Sequence, residues 1–172
     1  MAKTSKWATN RFVKVEIDVT AAIVSAIAGL TTAEWIDISS IFAGPLDQPQ
    51  EITRDIQETP VSGDATPITS SGSASARRFA FSILYTEGET LGTDNLDIYQ
   101  DVLKPVMEYT GTALSMPVRW SPKGGASGDN LYTTSLTETF LTSLSDPVGG
   151  VSSDKIMINF EISTPDLTPS TV

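Results

Sequence analysis

Apolar and polar residues alternate along several stretches of this chain, which is the period of a β-strand with one buried face. The first alternating stretch has one apolar and one polar face: Val13, Val15, Ile17 and Val19 against Lys14, Glu16 and Asp18. The most regular stretch, RRFAFSILYT at 77–86, alternates without a gap at Phe79, Phe81, Ile83 and Tyr85. Similar patterns predict strands over 35–41, 51–57 and 155–163.

Two further strands flank a glycine-rich loop. On one side the alternating residues are Leu114, Met116, Val118 and Trp120, and on the other they are Tyr132, Thr134, Leu136, Glu138 and Phe140. Between them, SPKGGASGDN at 121–130 contains Pro122, Gly124, Gly125 and Gly128. These residues are typical of turns and exclude a regular element. The pattern therefore predicts strands over 114–120 and 132–140.

One segment has the helical period instead. Thr93 or Asp94 is predicted to cap it, and Asp94 and Asp97 place negative charge in its first turn, where the helix dipole favours it. Its apolar stripe consists of Leu96, Tyr99, Leu103, Val106 and Met107. Pro105 predicts a kink, or an end of the regular helix, near Leu103. The small-residue run at 21–30 predicts a short helix or loop packed on the strands, because it is too short to span a bilayer.

These elements predict a mainly β fold, an antiparallel β-sandwich or flattened barrel of about seven or eight strands with one flanking α-helix over about 94–108. A single domain is expected over 11–163, preceded by an N-terminal arm at 1–10 and followed by a frayed C-terminal tail at 164–172. Within the domain, 43–76 is rich in Ser, Thr, Gly and Pro and is predicted to be a long loop with a function.

Composition removes whole classes of chemistry. The 172 residues contain no Cys and no His, which excludes disulfides, Cys or His zinc sites and His-dependent catalytic triads. Paired carboxylates occur at Glu87/Glu89, Asp94/Asp97 and Glu51/Asp55, but they fit a turn, a helix start and a solvated strand face better than glycoside hydrolysis. We therefore expect no enzyme activity, no cofactor and no metal.

The charge is strongly acidic. The chain has 11 Lys and Arg against 21 Asp and Glu, a net charge of −10. Such a field disfavours conventional DNA binding, and it is compatible with a surface past which DNA slides without sticking.

The order of elements resembles a known family. It comprises an N-terminal strand pair, a long polar excursion before RRFAFSILY, the single helix DNLDIYQDVLKPVMEY, the strand running into SPKGGASGDN, and a closing VGGVSSDKIMINFEIS. Over 11–163 this order is similar to that of the tail tube (major tail) proteins of long-tailed, non-contractile, siphovirus-type bacteriophages. Relatives of that family include contractile-tail tubes and the type VI secretion tube protein.

The resemblance implies a virion structural protein that forms hexameric rings, which stack into a hollow tube. One sheet of each subunit would join its neighbours in a continuous inner barrel, and DNA would pass through an acidic bore without specific binding. Other implied partners are the tape measure, tip and terminator proteins of the tail, with no membrane involved. The protein would be made in the host bacterial cytoplasm and would reside in the virion tail.

Site residues are predicted on this basis. The candidate bore-lining acids are Glu16, Asp18, Glu51 and Asp55, for which an ordinary place on the outer surface is an open alternative. The candidate inter-subunit contacts are Arg54, Arg77, Arg78, Lys123, Gly124, Gly125, Gly128 and Asp129.

A second function remains open: a stand-alone β-sandwich binding module, such as a capsid decoration or receptor-binding domain. Exposed aromatic platforms would favour it, whereas Trp35 and Trp120 fall within strand patterns that predict burial.

Overall fold

The computed structural model describes residues 14–43, 54–59, 68–85, 90–147 and 156–172. Its strands are β1 (Lys14–Val19), β2 (Glu34–Asp37), β3 (Arg54–Thr59), β4 (Ile68–Ala74), β5 (Arg77–Leu84), β6 (Val118–Ser121), β7 (Asn130–Thr134), β8 (Phe140–Leu144), β9 (Met157–Thr164) and β10 (Leu167–Thr171). Its helices are α1 (Ala21–Ala26) and a π-helical segment (Ile98–Leu103) that continues as α2 (Lys104–Glu108).

Eight of the ten described strands form two antiparallel sheets. The five-stranded sheet has the order β10-β7-β6-β1-β2, and the three-stranded sheet has the order β5-β9-β8. The remaining two, β3 and β4, pair only with each other. This architecture confirms the predicted mainly β sandwich with a flanking helix.

Aromatic rings join the two sheets. Phe81 of β5 stacks on Phe160 of β9 with ring centroids 5.1 Å apart, and Phe79 of β5 lies 5.1 Å from Trp120 of β6. Trp120 in turn stacks on Tyr132 of β7 at 6.1 Å. Most residues predicted to face inward are buried, whereas Tyr85 and Ile156 are half-buried. The buried ones on β1, β5 and β9 are Val15, Ile17, Val19, Phe79, Phe81, Ile83, Ile158, Phe160 and Ile162. Alternation was a sufficient guide here because successive strand side chains point to opposite faces.

The helix begins later than predicted. Asp97 is its N-cap, and the Asp97 carboxylate accepts hydrogen bonds from the backbone N–H of Tyr99 and Gln100, each at 3.0 Å. The prediction that Thr93 or Asp94 caps the helix is therefore wrong. Pro105 lies at the start of α2, where π-helical geometry changes to α-helical. The helix is therefore irregular near Leu103, but its regular α-helical part begins there rather than ends there as predicted.

Met107 is the exception in the predicted apolar stripe. Leu96, Tyr99, Leu103 and Val106 are buried, but Met107 is 42% exposed. Val106 is the last residue of the helix on the buried face, and Met107, which follows it, lies outside that face. Residues 21–30 contain a short helix, one of the two predicted alternatives, and Thr20 is its N-cap.

The predicted strand 132–140 is two strands in different sheets. β7 ends at Thr134 in the five-stranded sheet, and β8 begins at Phe140 in the three-stranded sheet. Hydroxyl groups stabilise the bend between them: Thr139 Oγ1 donates to the Ser135 carbonyl at 2.6 Å, and Thr164 Oγ1 accepts from the Ser135 N–H at 3.1 Å. Leu136 and Glu138, assigned to a strand by their alternation, are exposed in this bend.

The tail is not frayed. Leu167–Thr171 forms β10, which pairs with β7 along the edge of the five-stranded sheet. Pro169 lies within it, opposite Tyr132. An edge strand tolerates proline because a missing N–H on the outer side breaks no ladder hydrogen bond.

The segment predicted as a long loop, 43–76, contains the β3–β4 hairpin. β3 overlaps the strand predicted at 51–57, of which 51–53 lie outside the described residues. In the part of the chain described, no helix is long and apolar enough to cross a membrane.

Candidate assembly surfaces

One polar row crosses the outer face of the five-stranded sheet, the side that faces away from the aromatic core. Strand register aligns Asp37 of β2, Glu16 of β1, Arg119 of β6, Thr133 of β7 and Thr168 of β10 side by side. We call these five residues the cross-sheet row. It runs from an acidic edge at β2 to an uncharged edge at β10.

An ion-pair cluster occupies the middle of this row. Arg119 binds Glu16 through two hydrogen bonds, Nε to Oε2 at 2.7 Å and Nη2 to Oε1 at 3.0 Å. Lys14 Nζ lies 3.2 Å from the same carboxylate. The Arg119 guanidinium also lies over the Trp35 ring, 4.2 Å from its centroid. The electron-rich face of the ring attracts the cation in this arrangement. Both cations are therefore used within the chain itself.

Two acids on the same strand face have opposite pKa shifts. Burial raises the pKa of the Glu16 carboxyl, but the hydrogen bonds and charges of Arg119 and Lys14 outweigh it and lower the pKa overall. Burial raises the pKa of Asp18, and the more distant charge of Arg119 only partly opposes this. The difference follows from direct hydrogen bonding to Glu16 alone.

The four candidate bore-lining acids do not lie together. Glu16 and Asp18 share the outer face of β1, although Glu16 is only 7% exposed. Asp55 lies in the β3–β4 hairpin, outside that sheet, and Glu51 falls outside the described residues. Their assignment to a bore stays a prediction.

The glycine-rich loop 121–130 is hydrogen-bonded to Val172, the residue that follows β10. Gly128 N–H donates to the Val172 carbonyl at 3.0 Å, and Val172 N–H donates to the Asp129 carbonyl at 3.0 Å. The Asp129 carboxylate accepts from Ala126 N–H at 3.0 Å. Gly124, Gly125 and Gly128 have φ angles of 102°, 78° and 90°, a region that disfavours residues with a Cβ. Lys123, in the turn before them, is exposed.

The three candidate arginines lie around the root of the hairpin. Arg54 begins β3, and Arg77 and Arg78 begin β5. Because neighbouring strand residues point to opposite faces, Arg77 shares the core-facing side with Phe79, and Arg78 lies on the outer side. There Arg78 Nη1 is 3.8 Å from Glu161 Oε1 of β9.

Two carboxylates, Asp94 and Glu34, form reciprocal hydrogen bonds between the segments 31–34 and 93–94, and the sequence did not predict these contacts. We call this arrangement the carboxylate clamp. Asp94 accepts from the backbone N–H groups of Thr31 and Thr32, both at 2.8 Å, and Glu34 accepts from the Thr93 hydroxyl at 2.7 Å and from its N–H. Hydrogen bonds from the Thr31 hydroxyl, and then from the backbone of Thr31 and Thr32, lower the pKa of Asp94 to about 2. The partners are 59 to 63 residues apart, so no local pattern signals the clamp.

Comparison of the sequence with models of known protein families found no match, and none was found among curated proteins. Solved structures do resemble the chain. A chain in the extended sheath–tube complex of PVC, an extracellular contractile injection system, has a TM-score of 0.60 and 14% identity, covering 98% of this chain and 95% of that chain. A chain in the PVC sheath/tube terminator has a TM-score of 0.59 and 11% identity, covering 99% and 100%.

A chain in the baseplate of the anti-feeding prophage gives a similar result, with a TM-score of 0.59 and 11% identity over 100% of this chain and 99% of that chain. At such low identity, these likenesses establish a shared fold. The chain therefore has the fold of components found in contractile injection systems.

Proposed function

We propose that this chain is a structural subunit of a phage-tail-like tube, polymerising as stacked hexameric rings around an acidic bore through which DNA passes. The observation that carries the proposal is the full-length likeness to chains of injection particles, which spans 98–100% of this chain and 95–100% of the other chains. The role is structural rather than catalytic, and it places the protein in the particle's tail, with tape measure, tip and terminator proteins as further partners.

The β3–β4 hairpin supports assembly. It makes no ladder with either sheet, and an isolated two-stranded hairpin is marginally stable in water. A neighbouring subunit is a natural source of the missing packing surface. The hairpin and the loop 121–130 are thus the favoured inter-subunit contacts.

Sheet edges support ring formation. β10 and β2 are the two edges of the five-stranded sheet, and open edges invite pairing with another chain. A closed ring satisfies all such edges at once and limits aggregation.

The ion-pair cluster supports passage of DNA without binding. DNA-binding surfaces offer Lys and Arg to phosphates, whereas Lys14 and Arg119 are bound to Glu16 on this face. Asp18 and Asp37 leave the face with one more carboxylate than cations, since its ionisable residues are Lys14, Arg119, Glu16, Asp18 and Asp37. We infer that this face, rather than the outer face of the three-stranded sheet, lines the bore.

The type of particle has two candidates. The sequence pattern resembles tubes of long-tailed, non-contractile phages, whereas the similar solved structures come from contractile injection systems. A tube subunit fits both.

A stand-alone binding module is less well supported. Trp120 is only 7% exposed, and Arg119 lies over the ring of Trp35. Among the large hydrophobic residues that the described chain exposes, Tyr109 is the one aromatic. An aromatic binding platform is therefore absent from the described part.

Electron microscopy with negative stain tests the proposal. The concentrated, purified protein is expected to show rings and tubes, and a matched variant in which a Gly-Ser linker of equal length replaces 54–74 is expected to remain a folded monomer. Because the hairpin pairs with neither sheet, its removal breaks no strand ladder of either sheet. Single particles at every concentration, even with tail-tip proteins added, would contradict the tube and favour the binding module.

A further inference from the structure

Arg77 has an unusual position for a charged residue. It is the first residue of β5 and lies opposite Thr164, which is fully buried. On the same strand face, Phe79 and Phe81 point into the aromatic core. The Arg77 side chain therefore lies at the open end of the sandwich, on the side that leads into the core.

The Nε atom of Arg77 has no hydrogen-bond partner in the part of the chain that the structure describes. It is buried from solvent, and no acceptor among the described residues forms a hydrogen bond with it. A buried donor without an acceptor is destabilising, and more so when the group carries charge. The described part of the subunit offers no partner that would offset this cost.

The other arginines with described side chains have their partners in the same chain. Arg119 binds Glu16 through two hydrogen bonds, and Arg78 faces Glu161. A shortage of acids is not the reason that Arg77 differs, because the chain has 21 Asp and Glu against 11 Lys and Arg. Its fold simply brings no carboxylate of the described residues to Arg77.

We propose that Arg77 is completed by a carboxylate from a second copy of this chain in the assembled tube. This inference rests on the proposed function and adds the partner group at one contact. A second copy carries a net charge of −10, so it presents many carboxylates to a cation. The planar guanidinium binds a carboxylate with directional, charge-assisted hydrogen bonds.

The position of Arg77 along the chain supports this partner. It follows the end of β4 at Ala74 by two exposed residues, Ser75 and Ala76. It therefore lies at the root of the hairpin that we propose to contact a neighbouring subunit. A neighbour packed on the hairpin would cover this end of the sandwich as well.

Arg77→Met tests the inference, because methionine keeps an unbranched apolar stem and removes the guanidinium. In the unassembled subunit we expect a melting temperature equal to or above that of the wild type, since an unsatisfied buried donor is removed. Assembly should move the opposite way, with the concentration needed for tubes raised at least about tenfold, which corresponds to ~1.4 kcal/mol. If Arg77 served only the stability of the subunit, Arg77→Met would lower the melting temperature and would not impair assembly while leaving the melting temperature unchanged or raised.

Arg78→Met is the matched control. It removes an equally large guanidinium one residue away, from a side chain that is 69% exposed and faces an acid of its own subunit. It is expected to change assembly less than Arg77→Met does. If Arg77→Met does not fold, Arg77→Lys, which keeps the charge and loses the planar fork, replaces it in the same comparison.

Two failures can be told apart. If the wild type forms no tubes, the proposed function falls and this inference with it. If the wild type forms tubes and Arg77→Met forms them at the same concentration, the inference alone is overturned. A structure of the assembled tube gives a direct check: a neighbour's carboxylate within hydrogen-bond distance of the Arg77 guanidinium is expected, and pairing of Arg77 with acceptors of its own chain alone would refute the inference.

Discussion

Glu16 shows how a residue on a polar strand face can be buried. Alternation along β1 assigns it to the wet side, and it does lie there, yet Arg119 and Lys14 cover its carboxylate and leave it 7% exposed. Asp18, two residues on, lacks such direct partners and carries the cost of burial. The two acids therefore affect the free energy of unfolding in opposite directions.

Glu16→Gln is expected to lower the free energy of unfolding by about 1–3 kcal/mol, because it removes charge-assisted hydrogen bonds and leaves Arg119 without its counter-charge. Asp18→Asn, the matched change on the same strand face, should be neutral or stabilising at pH 7. Urea denaturation of both variants measures this, and equal losses would contradict the ion-pair account.

The pH dependence follows from the same two shifts. The pKa of Glu16 is lowered from its ordinary 4.5, so its contribution to stability is present above 4.5 and is lost as pH falls through the lower, folded-state value. The pKa of Asp18 is raised from 3.8, so its protonation stabilises the fold as pH falls through the raised value. The free energy of unfolding, measured from pH 7 to pH 3, should therefore fall less steeply for Glu16→Gln, and more steeply for Asp18→Asn, than for the wild type.

At the scale of the element, the helix illustrates a choice between nearby acids. Asp94, Asp97 and Asp101 all precede or enter the first turn, and all three are chemically suited to a helix start. The fold assigns Asp94 to Thr31 and Thr32, leaves Asp97 as the N-cap, and lets Asp101 accept from the Asp97 N–H at 2.8 Å. The competing contact lies 63 residues away, which is why local spacing misplaced the cap.

Asp97→Ala is expected to lower the free energy of unfolding by about 1 kcal/mol, because two backbone N–H groups lose their acceptor. Asp97→Asn is the control, since asparagine caps helices about as well as aspartate. Thermal unfolding compares the two. Equal destabilisation by both changes would show that charge rather than capping is what Asp97 supplies.

At the scale of the whole molecule, two short connections between the sheets decide where strands end. The chain passes from β7 to β8 through the bend at 135–139, and from β9 to β10 through the short turn at Pro165 and Asp166. Thr164 forms hydrogen bonds at both connections. Its hydroxyl accepts from Ser135 N–H at 3.1 Å and donates to the Asp166 carbonyl at 3.0 Å. A few hydroxyl groups thus set where each strand leaves its sheet.

Removing 167–172 is expected to lower the free energy of unfolding by about 1–3 kcal/mol, since it deletes the ladder with β7 and the contacts of Val172 with the loop 121–130. Amide exchange should rise in β7 and in that loop. Leu167→Ala is the control: it keeps the strand's backbone and removes part of one half-buried side chain, so its effect should be smaller. A truncated chain as stable as the wild type would mean that the tail is frayed after all.

The sequence by itself determined most of the residues that face the core, that the fold is mainly β, and that a helix flanks it; Met107 and Leu136 are exposed although their spacing placed them on apolar faces. These properties depend on the local period of apolar residues, which sets the buried face of an element wherever that element packs. Composition was equally direct about excluded chemistry, since residues that are missing from a chain cannot act. The family resemblance, read from the order of elements, pointed to tail tubes of non-contractile phages, whereas the solved structures that share the fold come from contractile injection systems.

Only the tertiary structure decided where strands end, which acids are paired and which buried arginine nitrogen has no hydrogen-bond partner among the described residues. Glu16 and Arg119 are 103 residues apart, and Asp94 and Thr31 are 63 apart, so their pairing depends on how the sheets bring distant segments together. The same holds for the split at 135–139 and for β10, whose order depends on hydroxyl and backbone partners far away in the chain. Local patterns determine which face of each element is buried. Long-range contacts decide where each element ends and which charged groups are paired.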